Sequence, residues 1–485
     1  MKRRFRLTSL VLIASLSLIA GIALSYKIQI HNSWYLLTLI PLIWFMKQQS
    51  IVTVVLILLA CFSFGLHRGS EFTFKKQAYS SLYGHKLNLR VKALNDGSYG
   101  SLSQFSFDGG QVILGNGQKL VGKIQISGFG TNAVFQNDDV DVTGKLMPSS
   151  GAYQGRISFA SLTVIRHHPT LVADIRRKFS AGMQSALPEP LASFAMGLLI
   201  GQRSTLPASV KQNLLMVGLT HIIAVSGYNL TIMLGASQRL AGKRSKRLTT
   251  LLTFCLMGLF LLMTGASASI VRAAIVSTLS IAAGYYGRNF KPLNLIFFAA
   301  AITAWANPFY IWSDISWYLS FLAFFGVLVL APLLVRRFRP KWQTSILIMV
   351  AIESLCAEIM TMPYVLHVFG QMSLIGLPAN VLVVTLIPLA MLLSLIAGLA
   401  GMLAVSFVGW LAWPAVLILT YMLDIAQLLA SVPHGFLQQI SLSLAQMLCI
   451  YLVVLLMTLA LHIKTKSNSY DKITDRNAIN EGASS

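Results

Sequence analysis

Lys2-Arg3-Arg4-Phe5-Arg6, then Leu7-Thr-Ser-Leu-Val-Leu-Ile-Ala-Ser-Leu-Ser-Leu-Ile-Ala-Gly-Ile-Ala-Leu24, opens the chain. Four cations precede an apolar run of about 18 residues, close to the roughly 20 a helix needs to cross a bilayer. A secretory signal peptide begins in the same way. Here no A-x-A cleavage site follows, and two further apolar runs come at once, near 34–46 and 51–66. A retained first span is the expectation.

The composition agrees. The 485 residues are 55% hydrophobic and 11% charged, against roughly 25% charged in soluble proteins. Mean hydropathy is +0.69. A soluble enzyme, a disordered chain and a secreted disulfide scaffold are excluded. The 38 basic and 15 acidic residues leave a net charge of +23. In a membrane protein such a balance anchors loops by the positive-inside rule or handles a polyanion. Cys61, Cys255, Cys356 and Cys449 all lie in apolar runs without a CxxC. They read as core-filling side chains, with no disulfide, metal or cofactor expected.

Five segments are expected: N-terminal transmembrane helices over 1–69, a polar β domain over 70–168, a basic amphipathic helix over 169–190, a second transmembrane domain over 191–463 and a short polar tail over 464–485. Basic clusters set the topology. Lys2 to Arg6, Lys47, Lys243 to Arg247, Arg288 with Lys291, Arg336 to Lys341 and Lys464 with Lys466 fall on one side, the cytoplasmic one. The β domain then lies outside, after the third span, and the alternation holds for about twelve spans. The short runs near 191–201 and 294–305 fit re-entrant or partial helices as well as spans.

The outside block has the period of two that marks strands. Leu87, Leu89 and Val91 alternate with Lys86, Asn88, Arg90 and Lys92. Phe105 with Phe107, Ile124 with Ile126, Val140 with Val142, and Ile157 to Ile165 repeat the pattern. Asn95-Asp96-Gly97, Asp108-Gly109-Gly110 and Asn116-Gly117 punctuate it. Five or so strands in under 100 residues fit a small OB-like barrel or a small sandwich. Single-strand binders of the OB type pair a basic groove with stacking aromatics. Lys86, Arg90, Lys92, Phe105 and Phe107 are the candidates; the aromatics, Phe129, Phe135, Tyr153 and Phe159 included, serve equally as barrel core. From 171 on, Leu171, Ile175, Phe179 and Met183 recur every four residues, with Arg176, Arg177 and Lys178 among them. This reads as an interfacial helix, either a lipid-headgroup anchor or a basic rim that gathers an anion.

Polar groups inside the last block are the functional candidates, because burying a charge in a span costs about 2.5–3.5 kcal/mol. They are Arg203, Asn213, His221, Ser226, Gly227, Asn229, Arg272, Glu353, Glu358 and Asn380, together with His367 and Asp424. Gly197 and Gly201 form a GxxxG, a motif for close helix approach. Arg272 reads either as a phosphate contact or as the partner of Glu353 or Glu358. Glu353 and Glu358, five apart, do not form a same-face pair. His221 and Ser226 are also five apart, about 140° around a helix, which disfavours a nucleophile and base. No HxHxDH, HExxH or GxxxxGK[ST] occurs, so neither a metal hydrolase nor an ATPase is visible.

Gly218-Leu-Thr-His221-Ile-Ile-Ala-Val-Ser226-Gly-Tyr-Asn-Leu resembles the signature of the ComEC competence family. Gly201-Gln-Arg203-Ser, Gly265-Ala-Ser-Ala-Ser-Ile-Val-Arg272-Ala, Trp317-Tyr-Leu-Ser-Phe-Leu-Ala-Phe-Phe-Gly326, and Pro363-Tyr-Val-Leu-His-Val-Phe-Gly370 with Leu377-Pro-Ala-Asn380 extend the likeness across about 190–440. The resemblance implies a bacterial inner-membrane channel that passes single-stranded DNA into the cytoplasm during natural transformation. It implies a channel and not an enzyme, working in membrane lipid with a surface DNA receptor, a separate nuclease and a cytoplasmic ATPase motor. Members often carry His where this chain has Asn229, so no imidazole role transfers there. Many also end in a metallo-β-lactamase-like domain, whereas this chain ends about twenty residues past its last apolar run. A secondary transporter or flippase for a smaller anion, with Glu353, Glu358 and Asp424 as coupling carboxylates, is the alternative.

Overall fold

The structure, a computed structural model, describes residues 7–28, 51–95, 97–99, 104–130, 134–149, 153–168, 171–202, 206–223, 246–264, 268–286, 291–338, 346–403 and 407–482. The chain divides into two units. One comprises Met1–Pro207, Ile222–Tyr318 and Pro388–Leu419; the other Ala208–His221, Leu319–Ile387 and Thr420–Ser485.

The first unit begins with helices α1, Leu7–Leu24, and α2, Ile51–Ser80. They meet along small residues. A Cβ on Gly21 would stand 2.2 Å from Phe62 O, and one on Gly65 2.4 Å from Leu18 O. Lipid tails are as apolar as leucine, so close backbone approach is what holds such helices together.

The third apolar run was expected to end near 66, with a β domain from 70. Instead α2 continues to Ser80. Its charged turns stay helical because Glu71 accepts Arg68 Nη1 at 2.7 Å and Lys75 Nζ at 2.5 Å, three and four residues away. The helix ends inside the β domain. Tyr79 is fully buried in that domain's apolar core, and its hydroxyl has no hydrogen-bond partner. Leaving a hydroxyl unpaired in a core costs about 1–3 kcal/mol. Tyr79→Phe is therefore expected to raise the unfolding temperature of the purified chain, and a lowered one would contradict this account.

Five strands follow: β1 Lys86–Ala93, β2 Phe105–Leu114, β3 Ile124–Gly130, β4 Asp139–Met147 and β5 Gly155–Arg166. Each coincides with a stretch of period two in the sequence. They pair in the order β1–β4–β5–β3–β2 and return to β1, forming a closed barrel. All neighbours are antiparallel except β3 and β5. Alternate residues fill the interior: Leu89, Val91, Phe107, Ile124, Ile126, Val142 and Ile157 are all at most 2% exposed. Closure leaves the five strands no open edge.

The chain leaves β5 through His167 and His168, which lie 2.8 Å and 3.1 Å from carboxylate oxygens of Asp138 and Asp139. Helix α3, Leu171–Ala186, comes next. Its apolar stripe is split. Leu171 and Ile175 are exposed, while Phe179, Gly182 and Met183 are buried. The buried half lies against a later helix, Ile387–Met402, where a Cβ on Gly401 would stand 2.0 Å from Gly182 O. So only half of the stripe expected to face lipid headgroups is exposed. Helix α4, Leu191–Ile200, is buried at every residue and ends at Gly201, whose left-handed φ of 73° suits glycine. Of the expected GxxxG pair, Gly197 makes a close approach, toward Ile223, and Gly201 is the cap.

The second unit packs the helix Ile346–Phe369 against the π-turn Gly326–Leu330 and the last helix, Leu444–Gly482. Tyr451 donates to Met360 O at 2.9 Å. Gln371–Ser373 pairs with Phe436–Gln438 as a small antiparallel ladder.

Six helices among the described residues are long and apolar enough to cross a membrane, and a seventh if the bent pair Gly376–Val384 and Ile387–Met402 is one span. Four shorter apolar helices accompany them, among them Leu191–Ile200 and Pro292–Ala306, the two runs whose spanning was open.

Candidate functional site

Arg272 is the fifth residue of the helix Ala268–Tyr285, followed by two alanines. It is 1% exposed. Its Nη2 donates to Ser316 O at 2.9 Å, while Nε and Nη1 have no partner. Arginine cannot shed its proton inside a protein, so this group stays cationic with two open donors. The acid in its field is Asp314, with Tyr310 beside it. Glu353 and Glu358, weighed from the sequence as its partners, belong to the other unit. Asp314 caps the helix Ile315–Phe325 by accepting Trp317 N at 3.2 Å. It was not singled out from the sequence. The signal was present, since an Asp directly before an apolar run is a helix start.

The barrel reaches the same spot. Tyr153 donates to Asp108 Oδ2 at 3.0 Å and feels the charge of Asp314 and the hydroxyl of Tyr310. Lys123 is the cation near Asp108. Asp108 and Tyr153 of the barrel are hydrogen-bonded, and the charge of Asp314 acts on both Tyr153 and Arg272. Burial holds the Asp108 carboxyl above its ordinary value, against the Tyr153 hydrogen bond and the Lys123 charge. A raised carboxyl favours the folded state below the unfolded pKa and loses that contribution as pH rises through the folded one. Asp108→Asn should keep the Tyr153 hydrogen bond and flatten the fall in unfolding temperature as pH rises above the ordinary carboxylate range. An unchanged slope would remove Asp108 from the account.

Of the two readings open for the barrel aromatics, Phe105 and Phe107 take the core one, at 6% and 2% exposed, and are not available for stacking. The strand period that identified them also points them inward. Lys86, Arg90 and Lys92 share the outer face of β1. Arg90 is paired with Asp141 at 3.1 Å, and Lys92 lies opposite Asp139. Lys86 lies opposite Lys145. Arg90 and Lys92 thus stand against carboxylates, while Lys86 and Lys145 do not.

The aromatic side chains that do reach outward are Phe129 on β3, 48% exposed, and Phe159 on β5, 73% exposed. Their ring centroids are 6.4 Å apart. Phe159 has a φ of 58°, which costs a non-glycine residue about 1–2 kcal/mol.

In α3, Arg176 donates through Nε and Nη2 to Met263 O, at 2.8 and 2.6 Å, near the end of the helix Lys246–Thr264. A cation is favoured at that carbonyl end. Arg177 pairs with Asp174 and lies over the Phe135 ring. Lys178 is exposed. Two of the three expected rim cations are thus engaged within the unit.

The second unit holds its own polar group. The Gly218 turn packs on Ser373 and Gly376, and His221 Nδ1 lies 3.0 Å from Gly218 O. A Cβ on Gly376 would stand 3.2 Å from Glu358 Oε1. Ser373 Oγ and Asn380 Oδ1 are buried without a hydrogen-bond partner. Asn380 is one turn beyond Gly376 on the helix Gly376–Val384. Asn213 and Glu353 are half-buried elsewhere in this unit. Arg203, Ser226, Gly227 and Asn229 lie outside the described residues.

A helical membrane protein with a small β barrel and a sequestered guanidinium is the class that the fold defines. The Competence protein family profile matches residues 198–464. The chain belongs to this family, the ComEC family of competence proteins. It is 26% identical over 217 residues to the ComE operon protein 3 of Bacillus subtilis (strain 168), a match covering 44% of this chain and 27% of that protein. The chain thus matches about a quarter of the length of that curated relative. No solved structure matches it.

Proposed function

We propose that this chain is a bacterial cytoplasmic-membrane channel that passes one strand of DNA inward during natural transformation. The observation that carries the reading is Arg272, a buried permanent cation with two nitrogens, Nε and Nη1, open and apolar helices around it. A phosphodiester oxygen is the acceptor that a guanidinium fork fits, and a DNA strand brings one to every nucleotide. The barrel, read as an OB-type module outside the membrane, supplies the approach, and about twelve spans carry the path. The channel performs no chemistry of its own. A surface receptor, a nuclease for the complementary strand and a cytoplasmic ATPase are its working partners.

A smaller anion moved by a coupled transporter is the second reading. Glu358 with the open oxygens of Ser373 and Asn380 favours it, because such a group suits a coupling proton or cation.

Labelled double-stranded DNA given to cells lacking this gene tests the proposal. DNA held at the surface and absent from the cytoplasm supports the channel. Unchanged cytoplasmic arrival overturns it in favour of the small-anion reading.

A further inference from the structure

We propose that the outer ridge of β3 and β5, formed by Phe129 and Phe159 with Lys123 and Arg156, is where the barrel holds unpaired nucleobases. The inference rests on the DNA reading above and places the contact on a different face from β1.

The β3–β5 ladder slips between the pairs Ile126–Ile157 and Gly128–Ala160. One residue of β3, Ser127, therefore faces two of β5, Ser158 and Phe159. Such a bulge breaks the in-and-out alternation and re-aims a side chain. Here it carries Phe159 out of the core series, which resumes at Ala160 and Leu162. The left-handed φ of 58° at Phe159 belongs to the same distortion. Its ring lies beside that of Phe129, the planes 33° apart. Two large apolar rings in water would be a liability for a barrel whose core is already full.

Charge selects the occupant. Gln125, two residues after Lys123, pairs in register with Arg156, so both cations are on the outer face, about 10–20 Å along the strands from the rings. Lys123 and Arg156 are exposed. Aromatic faces with cations farther along the same groove bind stacked bases through the rings and the phosphate strand through the charges. A duplex keeps its bases stacked on each other and offers no such faces.

The test uses the purified full-length chain in detergent and a fluorescent oligothymidylate of about sixteen nucleotides. Phe129→Ala and Phe159→Ala are each expected to weaken binding about 5- to 100-fold, and Phe159→Tyr to restore it. Neither alanine should alter the salt dependence. Lys123→Gln and Arg156→Gln should each lower the slope of log affinity against log salt by about 0.7. Wild-type binding that the double alanine variant leaves unchanged would overturn the ridge and leave the channel reading standing. Absence of wild-type binding would count against the channel reading itself. Loss of phosphatidylglycerol-vesicle binding in the alanine variants, with oligothymidylate binding intact, would assign the rings to lipid and overturn the proposal.

Discussion

Arg272→Met is expected to stop DNA uptake while leaving the protein at least as stable as before. The two effects have opposite signs for one reason. A buried ion costs several kcal/mol of lost hydration, and its contacts must offset that cost. Arg272 has one hydrogen bond, to Ser316 O, and two open donors. Each unsatisfied donor adds about 1–3 kcal/mol to the cost. Methionine fills much of the same space without it. On the proposed reading the guanidinium costs the fold more than Ser316 O and the charge of Asp314 return, and a bound phosphate accounts for it. Losing a desolvated contact of this kind is worth about 2–5 kcal/mol, on the order of a hundredfold or more in passage. Arg272→Lys keeps the charge and loses the fork, so it should fall between. Transformation frequency and unfolding temperature, measured on the same variants, check both signs. A methionine variant that unfolds early would make Arg272 a structural group.

Gly65→Leu is expected to prevent accumulation of the folded protein. At the α1–α2 crossing the added Cβ would meet backbone, 2.4 Å from Leu18 O and 3.1 Å from Ile22 N. Backbone cannot rotate away as a side chain can. One turn on, a Cβ at Gly69 would meet the Ser25 hydroxyl at 1.8 Å. The helices would have to separate along the whole contact, and overpacking of this kind costs about 1–3 kcal/mol or more. The barrel would suffer as well, because α2 ends in its core at Tyr79. Gly258→Leu is the control: a Cβ there meets nothing within 4 Å. Full-length protein in the membrane fraction should be lost for Gly65→Leu and kept for Gly258→Leu. Equal levels would mean that the α1–α2 contact is dispensable.

The sequence made the barrel legible because strand period and turn residues are local properties. All five strands lie where Leu, Ile, Val and Phe alternate with polar residues. The same local signal misled over Phe105 and Phe107, since period two finds the inward face and cannot say which aromatic escapes it. Phe159 escapes through a bulge, which depends on register between two strands far apart in the chain. The end of α2 was misjudged because falling hydropathy marks the edge of the apolar run, while the Glu71 ion pairs carry the helix beyond it. Arg272 stood out as a charge among small residues, but its surroundings did not. Asp314 and Tyr310 come to it from another stretch of chain, and Tyr153 of the barrel comes to them from a third.

Reconstitution tests the central claim most directly. The purified chain is placed in liposomes that enclose a complementary oligonucleotide as a trap. Labelled single-stranded DNA, the same sequence as a duplex, and inorganic phosphate are added outside in turn. The account expects the single strand to become resistant to external nuclease, the duplex to remain sensitive, and Arg272→Met to abolish the protection. Passage of phosphate with no protected DNA, from protein shown to be folded, would contradict it.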